Sequence, residues 1–586
     1  MTAANPPVSQ TRSFSTVFLI ELWERFGFYG MQALIVFYMV QRLNFQDARA
    51  NIVWSAAAAL IYVAPAIGGW IGDKVLGTRR TMLMGAFILG LGYALMAIPS
   101  ENTWALFGAL SVIVVGNGLF KPNAGNLVRK IYEGDDSKID SAFTIYYMAV
   151  NIGSTVSMLL TPKIKDWVNA AYHSQFGWHA AFGVCALGLL VGLTNYFFMR
   201  KAMAQIGSAP DERPVNVGKL AMVLVGAMAC AAGAAAVLQY EELAKIFVYG
   251  AGVVLLGIFA YLIGTSHRDE RAGLTAALIL VVQTIFFFVF YQQMSTSLNL
   301  FALRNVDWSC DLFGYHLLTW TPEQFQAFNP IWIMLLSPVL AWAYTHFGKQ
   351  GRDLSVAAKF ACGFAAVAIG FYIYGVAAQF TTQPGRTNSW VMVWGYGFGS
   401  LGELLTSGLG LAMIARYVPA RMGGFMMGAY FVASGISQYF GGMVANLASV
   451  PDAVGKIVAN SPGAMVSQVQ QKLPGVMAMK LEDFRDWLLN HPGADKIAAT
   501  AHLPAFSSMP HETQALLTQF NEHLYTTTMP IYTHLFALLG TWGVAITIAS
   551  FAMVWPMRKL SAIHQSAGAA AERPEAEVPV HVPSAG

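Results

Sequence analysis

Three ionisable side chains lie inside the first long apolar stretch of the chain, in the segment ELWERFGFYG at positions 21–30. On a helix Glu21 and Arg25 are four residues apart, and Glu24 falls within the same arc of roughly 100°, so all three point to one side. Two carboxylates and one guanidinium leave one carboxylate without a cation. A carboxylate that loses its cation in another conformation takes up a proton, so the cluster predicts a proton-coupling site. The alternative is an ion pair that only fixes helix packing.

Two further charges lie in apolar stretches far along the chain. Lys121 precedes Pro122 in GNGLFKPN, and Glu403 lies in GSLGELLTSGLG. An ionisable group at the bilayer centre costs roughly 2.5–3.5 kcal/mol on insertion scales, so such groups mark ion or substrate paths. We expect Lys121 to be the second cation of the first-helix cluster. Glu403 must be neutralised by a ligand ammonium, by a cation from the other half of the protein, or by a proton, and a protonated structural Glu is the alternative.

The composition indicates that membrane-spanning helices hold these charges. Hydrophobic residues make up 56% of the chain and charged residues 11%, and the mean hydropathy is +0.50, which is typical of a polytopic membrane protein. A helix needs roughly 20 apolar residues to cross the bilayer core. The first stretch is too long for a signal peptide and lacks its cleavage site. Fourteen spans are predicted, at about 14–40, 50–72, 81–99, 104–127, 141–163, 177–199, 217–238, 244–265, 273–300, 328–347, 356–378, 389–415, 422–448 and 531–555.

Basic residues in the connecting segments predict the orientation. Loops and tails on one side hold 21 Lys and Arg residues, and the short loops on the opposite side hold seven. Because short cytoplasmic loops carry an excess of Lys and Arg, both termini are predicted to be cytoplasmic.

The spans predict an all-α protein with a plan of six, two and six helices, which is the major facilitator layout. The seventh and eighth spans lack intramembrane charge and are expected to form a helical hairpin between two six-helix bundles. In MKLEDFRDWLLNH, Leu481, Phe484, Trp487 and Leu488 have helical spacing. The predicted units are a cytoplasmic N-terminus (1–13), a first bundle (14–200), a linker with the hairpin (201–272), a second bundle (273–558) with a periplasmic insertion at about 450–530, and a disordered cytoplasmic tail (559–586).

The segment GGWIGDKVLGTRR, at 68–80, lies at the predicted cytoplasmic end of the second span. Its glycines allow close helix approach. We expect Asp73 to pair with Arg79 and Arg80 across neighbouring helix ends and to latch one conformation. The alternative is an ordinary basic loop with turn glycines.

These motifs together resemble the proton-dependent oligopeptide transporter family of the major facilitator superfamily. The first-helix signature of that family, Glu-x-x-Glu-Arg-Phe-x-Tyr-Tyr, is matched by Glu21, Glu24, Arg25, Phe26 and Tyr29. The fifth-helix signature is matched by FTIYYMAVNIGS at 143–154. FKPN at 120–123 and GELLTSG at 402–408 resemble the fourth and tenth helices of the family.

The resemblance implies roles for individual residues. Glu21, Glu24, Arg25 and Lys121 would couple proton movement to the gate. Glu403 would hold the amino terminus of a peptide, with Arg25 and Lys121 toward its carboxylate. Taken alone, the uncharged residues below would favour a packing role. The implied wall residues are Tyr29, Tyr62 and Asn151 from the first half and Asn329, Glu403, Ser407 and Tyr430 from the second.

The sequence departs from the family pattern at several positions. Phe28 replaces the first Tyr of the signature, and Gly408 replaces a Pro that often follows Ser407. Gln32 and Gln292 stand where Arg and Glu are frequent. We keep both as candidate substrate-binding residues and expect an amide pair in place of a salt bridge on the extracellular side, since losing both charges leaves neither one unpaired.

The resemblance implies a proton-coupled symporter that imports di- and tripeptides across the bacterial cytoplasmic membrane by alternating access. Its ligands would be peptides and protons, its surroundings the lipid bilayer, and no cofactor is expected beyond the coupling ion. The alternatives are a carrier of nitrate or another organic solute within the family, and a peptide-binding nutrient sensor with little transport. The sequence has no metal cluster, nucleophile elbow, phosphate loop or nucleic-acid motif, so neither an enzyme nor a nucleic-acid binder is expected.

Overall fold

The computed structural model describes residues 9–172, 176–350, 354–416, 422–450 and 510–571. Long helices alternate with short connections throughout these ranges, as an apolar chain requires when its backbone polar groups must be satisfied inside a bilayer. Ten of the described helices are long and apolar enough to cross a membrane. The all-α prediction is confirmed.

The first bundle consists of six helices that follow the predicted spans closely. Short π-helical turns at Tyr38–Arg42 and Gly72–Leu76 continue the first two of them. The helices are α1 (Gln10–Phe37), α2 (Asp47–Ile71), α3 (Thr78–Met96), α4 (Thr103–Ile131), α5 (Asp136–Tyr172) and α6 (Gly177–Met199).

A linker and a helical hairpin follow the first bundle. The linker contains a 3₁₀ turn at Arg200–Met203 and a short helix α7 (Ala209–Glu212), which begins with a capping box at Ser208. The hairpin is formed by α8 (Val217–Gln239) and α9 (Glu241–Thr265). Helix α8 packs against α4 of the first bundle.

The second bundle contains six spans. Its first span is α10 (Arg268–Gln292), which a 3₁₀ turn at Gln293–Ser295 joins to α11 (Ser297–Asn305). Two antiparallel ribbons, β1 (Ser309–Leu312) with β2 (Tyr315–Thr319) and β3 (Thr381–Gln383) with β4 (Arg386–Thr387), lie in its loops. Short 3₁₀ turns occur at Pro322–Ala327, Ala377–Phe380 and Asn446–Ala448. The other spans are α12 (Phe328–Lys349), α13 (Val356–Gly375), α14 (Trp390–Arg416), α15 (Gly423–Ala445) and α16 (His511–Ala571).

The two bundles meet along two seams. Helix α2 packs on α15, and α5 packs on α12. Helix α9 also packs on α15, so the hairpin contacts both halves of the molecule. The predicted plan of six, two and six helices is therefore confirmed, whereas the predicted cytoplasmic location of the termini stays a prediction.

Two predicted boundaries near the C-terminus are wrong. The last helix begins at His511, about five turns before the predicted start at 531, because polar residues there extend the helix beyond the apolar span. It also continues to Ala571, so the predicted disordered tail from 559 is helical over its first part. The helix expected around Leu481, Phe484, Trp487 and Leu488, with most of the 450–530 insertion, lies outside the described residues.

Glycines let α2 and α4 approach closely, as the 68–80 segment predicts. A Cβ atom added at Gly68 would lie 1.9 Å from the carbonyl oxygen of Gly118. That distance is far below any van der Waals contact, so only glycine permits this crossing. The crossing positions Lys121 one turn further along α4.

Candidate functional site

The first-helix cluster forms as the helical spacing predicts. The Arg25 Nε lies 3.3 Å from Glu21 Oε1 and also hydrogen-bonds Glu24 Oε2. All three side chains are buried, with exposures of 2% for Glu21, 0% for Glu24 and 3% for Arg25. One guanidinium therefore serves two carboxylates in a region from which water is largely excluded.

The cluster is not fully satisfied. Within the described part of the chain, the second oxygens, Glu21 Oε2 and Glu24 Oε1, and the Arg25 Nη2 have no hydrogen-bond partner. An unpaired buried carboxylate oxygen is costly, and a proton on one carboxylate would remove the surplus charge. Phe28, which replaces a family Tyr, packs its ring 5.2 Å from the Arg25 Cζ, so the ring face meets the cation in place of a hydroxyl.

Lys121 forms no salt bridge in this conformation, since among the described residues no carboxylate lies within 4.0 Å of its ammonium group. It does interact electrostatically with both Glu21 and Glu24, so its role as the second cation of the cluster stays a prediction. The Lys121 Nζ instead lies 5.0 Å from the centre of the Tyr62 ring. The side chain turns into the space between the bundles, where it faces a cavity.

A central cavity of about 230 Å³ lies between the two bundles. Eight of the predicted residues line it, and they come from both halves of the chain. These residues are Tyr29, Gln32, Tyr62, Lys121, Asn151, Asn329, Glu403 and Tyr430. Arg25 and Gln292 line an adjoining cavity that shares Tyr29, Gln32, Tyr62 and Lys121 with the central one.

Glu403 lies on the wall formed by the second bundle. Its Oε2 accepts a 2.8 Å hydrogen bond from Asn329 Nδ2, and the same amide group donates to Ser400 Oγ at 3.1 Å. The amide of α12 thus fixes the carboxylate of α14 toward the cavity. Lys121 lines the same cavity from the first bundle, so one enclosed space presents an ammonium and a carboxylate.

Gln32 and Gln292 do not form the expected amide pair. The Gln292 Nε2 donates to Ser55 Oγ at 3.0 Å, and its Oε1 accepts from Ser295 at 3.3 Å. Gln292 therefore joins α10 to α2 across the interface between the bundles. Gln32 faces the central cavity. An uncharged amide is satisfied by a hydrogen bond to a nearby hydroxyl, whereas a buried Glu at 292 would have required a cation to balance its charge.

Apart from Tyr147, Val150 and Ser154, which lie in the fifth-helix stretch at 143–154, the other lining residues carry no signal in a single sequence. Aromatic and thioether side chains at helical spacing are as typical of a packed core as of a cavity wall, and only the tertiary arrangement separates the two. The side chain of Ser407 lies outside the described part of α14. The residues that sequence reasoning missed are Tyr147, Val150, Ser154, Met158, Phe288, Tyr291, Met294, Ser295, Gln326, Pro330, Ile333, Tyr396 and Phe431.

Asp73 does not latch to the two arginines. It accepts a 2.8 Å hydrogen bond from Asn126, while the Arg79 Nη1 donates to the carbonyl of Ala204 at 3.0 Å and the Arg80 Nη1 to that of Pro210 at 2.9 Å. The predicted pairing is wrong in this conformation. The linker after α6 folds back, and the two arginines donate to its backbone carbonyls instead of to Asp73.

The side predicted to be periplasmic is closed by a buried ion pair between the bundles. Arg304 of α11 binds Asp47 of α2 through two hydrogen bonds, of 2.6 and 2.8 Å. The hydroxyl of Tyr532 accepts from Arg304 at 2.7 Å, and the backbone amide of Val450 donates to Asp47 at 3.2 Å. A second buried pair, Lys165 with Glu323, joins α5 to the turn before α12.

Replacing Asp47 with asparagine is expected to open this side. The change removes the carboxylate that neutralises the buried Arg304, and breaking a buried pair in this way costs about 3–5 kcal/mol. Spin labels at Tyr172 and Tyr315, exposed positions of the first and second bundles, should then show a new, longer distance component.

The matched control is Glu101→Gln, which removes an exposed carboxylate that pairs with Arg42 on the same side. It should leave the distance distribution unchanged. Equal distributions in Asp47→Asn and the wild type would contradict a gating role for the pair. The apolar double variant Asp47→Leu with Arg304→Met should recover thermal stability, because no unpaired charge remains.

Comparison with known proteins gives a consistent result. A model of the POT family matches residues 79–461. Dipeptide and tripeptide permease B of Aliivibrio fischeri (strain MJ11) is 42% identical over 446 residues, which cover 76% of this chain and 88% of the permease. A structure of tetrameric PepTSo2 is 59% identical with a TM-score of 0.76, over 94% of this chain and 100% of that one. Another solved structure, from work on substrate recognition in proton dependent oligopeptide transporters, is 57% identical with a TM-score of 0.74. It also covers 94% of this chain and 100% of its own.

Proposed function

The chain belongs to the POT family, and from this premise we propose that it imports di- and tripeptides together with protons by alternating access. The relatives named dipeptide and tripeptide permease support the substrate class, and the proton dependence of a structural relative supports the coupling ion. The membrane would be the bacterial cytoplasmic membrane, as expected from the sequence.

One observation carries the proposal most directly. The central cavity between the bundles presents Lys121 on one wall and Glu403 on the other. A peptide is a zwitterion whose ammonium and carboxylate groups are separated by its backbone, so it can meet both charges at once. Inside a low-dielectric cavity such charge-assisted contacts are strong, and they fix the orientation of the ligand.

The proton steps belong to the first-helix cluster in this proposal. Arg25 is shared by Glu21 and Glu24 in this conformation. A rearrangement that brings the peptide carboxylate to Arg25 or Lys121 would weaken the hold of these cations on the carboxylates, which then take up a proton. Substrate and proton binding are thereby linked through one small set of charges.

The other candidate functions have less support. Glu403 would repel nitrate, because a small inorganic anion brings no ammonium group to balance the carboxylate. A sensor that binds peptide without moving it does not need an interface of breakable ion pairs between two bundles. Among the described residues, the ion pairs that join the two bundles, Asp47–Arg304 and Lys165–Glu323, lie on one side of the cavity, as a gate requires.

Substrate competition tests the proposed substrate class. Uptake of labelled dialanine into proteoliposomes should be inhibited by unlabelled dialanine and trialanine, and hardly at all by alanine or nitrate at the same concentration. Alanine carries both charges on one carbon and cannot meet both walls at once. Inhibition by nitrate equal to that by dialanine would contradict the assignment. Counterflow of labelled dialanine, measured beside dialanine binding, separates transport from sensing, because a sensor would bind the peptide without counterflow.

A further inference from the structure

A second cavity, of about 410 Å³, lies on the side predicted to be cytoplasmic, away from the central one. It is enclosed by the turn after α2, the start of α3, the linker helix α7 and the start of α8. Four cations line it, namely Lys74, Arg80, Arg213 and Lys219. None of the described residues that line it carries a carboxylate.

The four cations have no carboxylate partner within 4.0 Å among the described residues. The guanidinium of Arg80 donates hydrogen bonds to the backbone carbonyls of Pro210, Asp211 and Arg213, at 2.9, 3.3 and 2.6 Å. It therefore holds the linker in place, while Lys74, Arg213 and Lys219 remain exposed charges. This leaves a concave, strongly positive site.

The nearest carboxylates are turned away from these cations or held elsewhere. Asp211 is buried, and it accepts hydrogen bonds from the backbone amides of Arg79 at 3.1 Å and Ser208 at 3.0 Å. Asp73 accepts from Asn126 at 2.8 Å. Glu212 is exposed on α7 and does not line the cavity. The site therefore carries an unbalanced positive charge that an external anion can meet.

The cavity opens onto an apolar outer surface of the helices. Its wall includes Met84 and Leu220. From Met84 the stripe continues along α3 through Phe87 and Leu91, which are 65% and 48% exposed. From Leu220 it continues along α8 through Leu224 and Met228, four and eight residues further on, which are 42% and 65% exposed. In a membrane-spanning bundle, such exposed apolar residues face lipid chains.

We propose that this basic cavity binds the head group of an anionic phospholipid, with the acyl chains along the outer faces of α3 and α8. Lys74, Arg213 and Lys219 supply the donors for a phosphodiester, and Arg80 adds its charge to theirs. The apolar stripe favours a lipid over free phosphate, since a free ion gains nothing from it. The positive-inside orientation places the cavity at the cytoplasmic leaflet, where anionic lipids concentrate and basic pockets between helices bind their head groups. The proposal does not depend on which solute the central cavity carries.

Binding of short-chain phosphatidylglycerol to the full-length detergent-purified protein tests this proposal. Phosphatidylglycerol should bind more tightly than phosphatidylcholine of the same chain length. The triple variant Lys74→Ala, Arg213→Ala and Lys219→Ala should weaken phosphatidylglycerol binding by roughly 100-fold, since three Lys or Arg contributions are lost. The charge-conserving variant Lys74→Arg, Arg213→Lys and Lys219→Arg should keep the affinity, which separates loss of charge from loss of folding.

The matched control is Arg129→Ala, Lys130→Ala and Lys201→Ala, which removes the same charge from the same predicted side outside the cavity. It should leave phosphatidylglycerol binding unchanged. Equal losses in both triple variants, or equal binding of phosphatidylglycerol and phosphatidylcholine, would overturn the proposal. Inorganic phosphate that binds the wild type as tightly as phosphatidylglycerol would also overturn it, because the site would then take a free anion.

Discussion

Replacing Glu403 with glutamine is expected to weaken the binding of dialanine by roughly 30-fold or more. Truncating one partner of a buried hydrogen-bonded charge pair costs about 2–5 kcal/mol, and 1.4 kcal/mol corresponds to a factor of ten. The substituted amide would keep the hydrogen-bonding geometry toward Asn329 and lose only the charge that meets the peptide ammonium. The dissociation constant of dialanine, measured on purified protein, gives the effect directly.

A peptide without the ammonium group provides the decisive control for Glu403. N-acetyl-dialanine should bind the wild type weakly, and Glu403→Gln should change its affinity little. The difference in binding free energy between dialanine and N-acetyl-dialanine should therefore be smaller in the variant than in the wild type, as a double-mutant cycle between residue and ligand requires. Glu101→Gln, at an exposed carboxylate outside the cavity, should leave both affinities unchanged. An equal loss for both peptides would show that Glu403 does not contact the amino terminus.

Replacing Glu21 with glutamine is expected to abolish peptide accumulation driven by a proton gradient and to leave peptide exchange intact. The side chain lies 3.3 Å from Arg25 and has one unpartnered buried oxygen, so it can change its protonation when Arg25 moves. One proton that crosses ~150 mV supplies roughly 3.5 kcal/mol, enough for a few-hundred-fold peptide gradient. An amide at this position cannot bind the proton, and the accumulation ratio should fall toward one.

Exchange of internal for external peptide is the internal control for Glu21→Gln. It requires the protein to fold, bind and alternate, and it requires no net proton movement. The variant Glu242→Gln, at an exposed carboxylate of the hairpin paired with Lys245, should keep both exchange and accumulation. Accumulation retained in Glu21→Gln would remove this residue from the coupling role, and loss of exchange as well would indicate a structural role.

The fold was predictable because the bilayer requires each membrane-spanning helix to be apolar, and this requirement is visible in the local composition of the sequence. A span needs a long apolar run, and all fourteen predicted runs are helical in the structure. Polar ends of helices carry no such signal, which is why the start of α16 at His511 was missed. The hairpin was also predictable, since α8 and α9 are apolar along their central parts and carry charges only near their starts.

The site was predictable where one helix determines the geometry. The four-residue spacing of Glu21 and Arg25 places them together whatever the rest of the fold does. Contacts between helices were less predictable. The Gln292 side chain reaches Ser55, which is 237 residues away in sequence, and nothing in either local segment indicates this partner.

Long cationic side chains were the hardest to place. Arg79, Arg80 and Lys121 can each reach several acceptors, and the choice depends on backbone carbonyls and rings from distant segments. The linker carbonyls of Ala204 and Pro210 take the arginines that were expected to pair with Asp73. Lys121 faces the Tyr62 ring rather than a carboxylate. Sequence therefore predicted that these charges matter and did not predict their partners.

The most direct test of proton-coupled peptide import compares labelled dialanine uptake with and without an inward proton gradient. Wild-type protein and Glu21→Gln should be reconstituted in parallel into the same liposomes. We expect the gradient to drive accumulation well above equilibrium in the wild type, and to have no effect in Glu21→Gln, which should still exchange peptide. Wild-type uptake that is the same with and without the gradient would contradict the account.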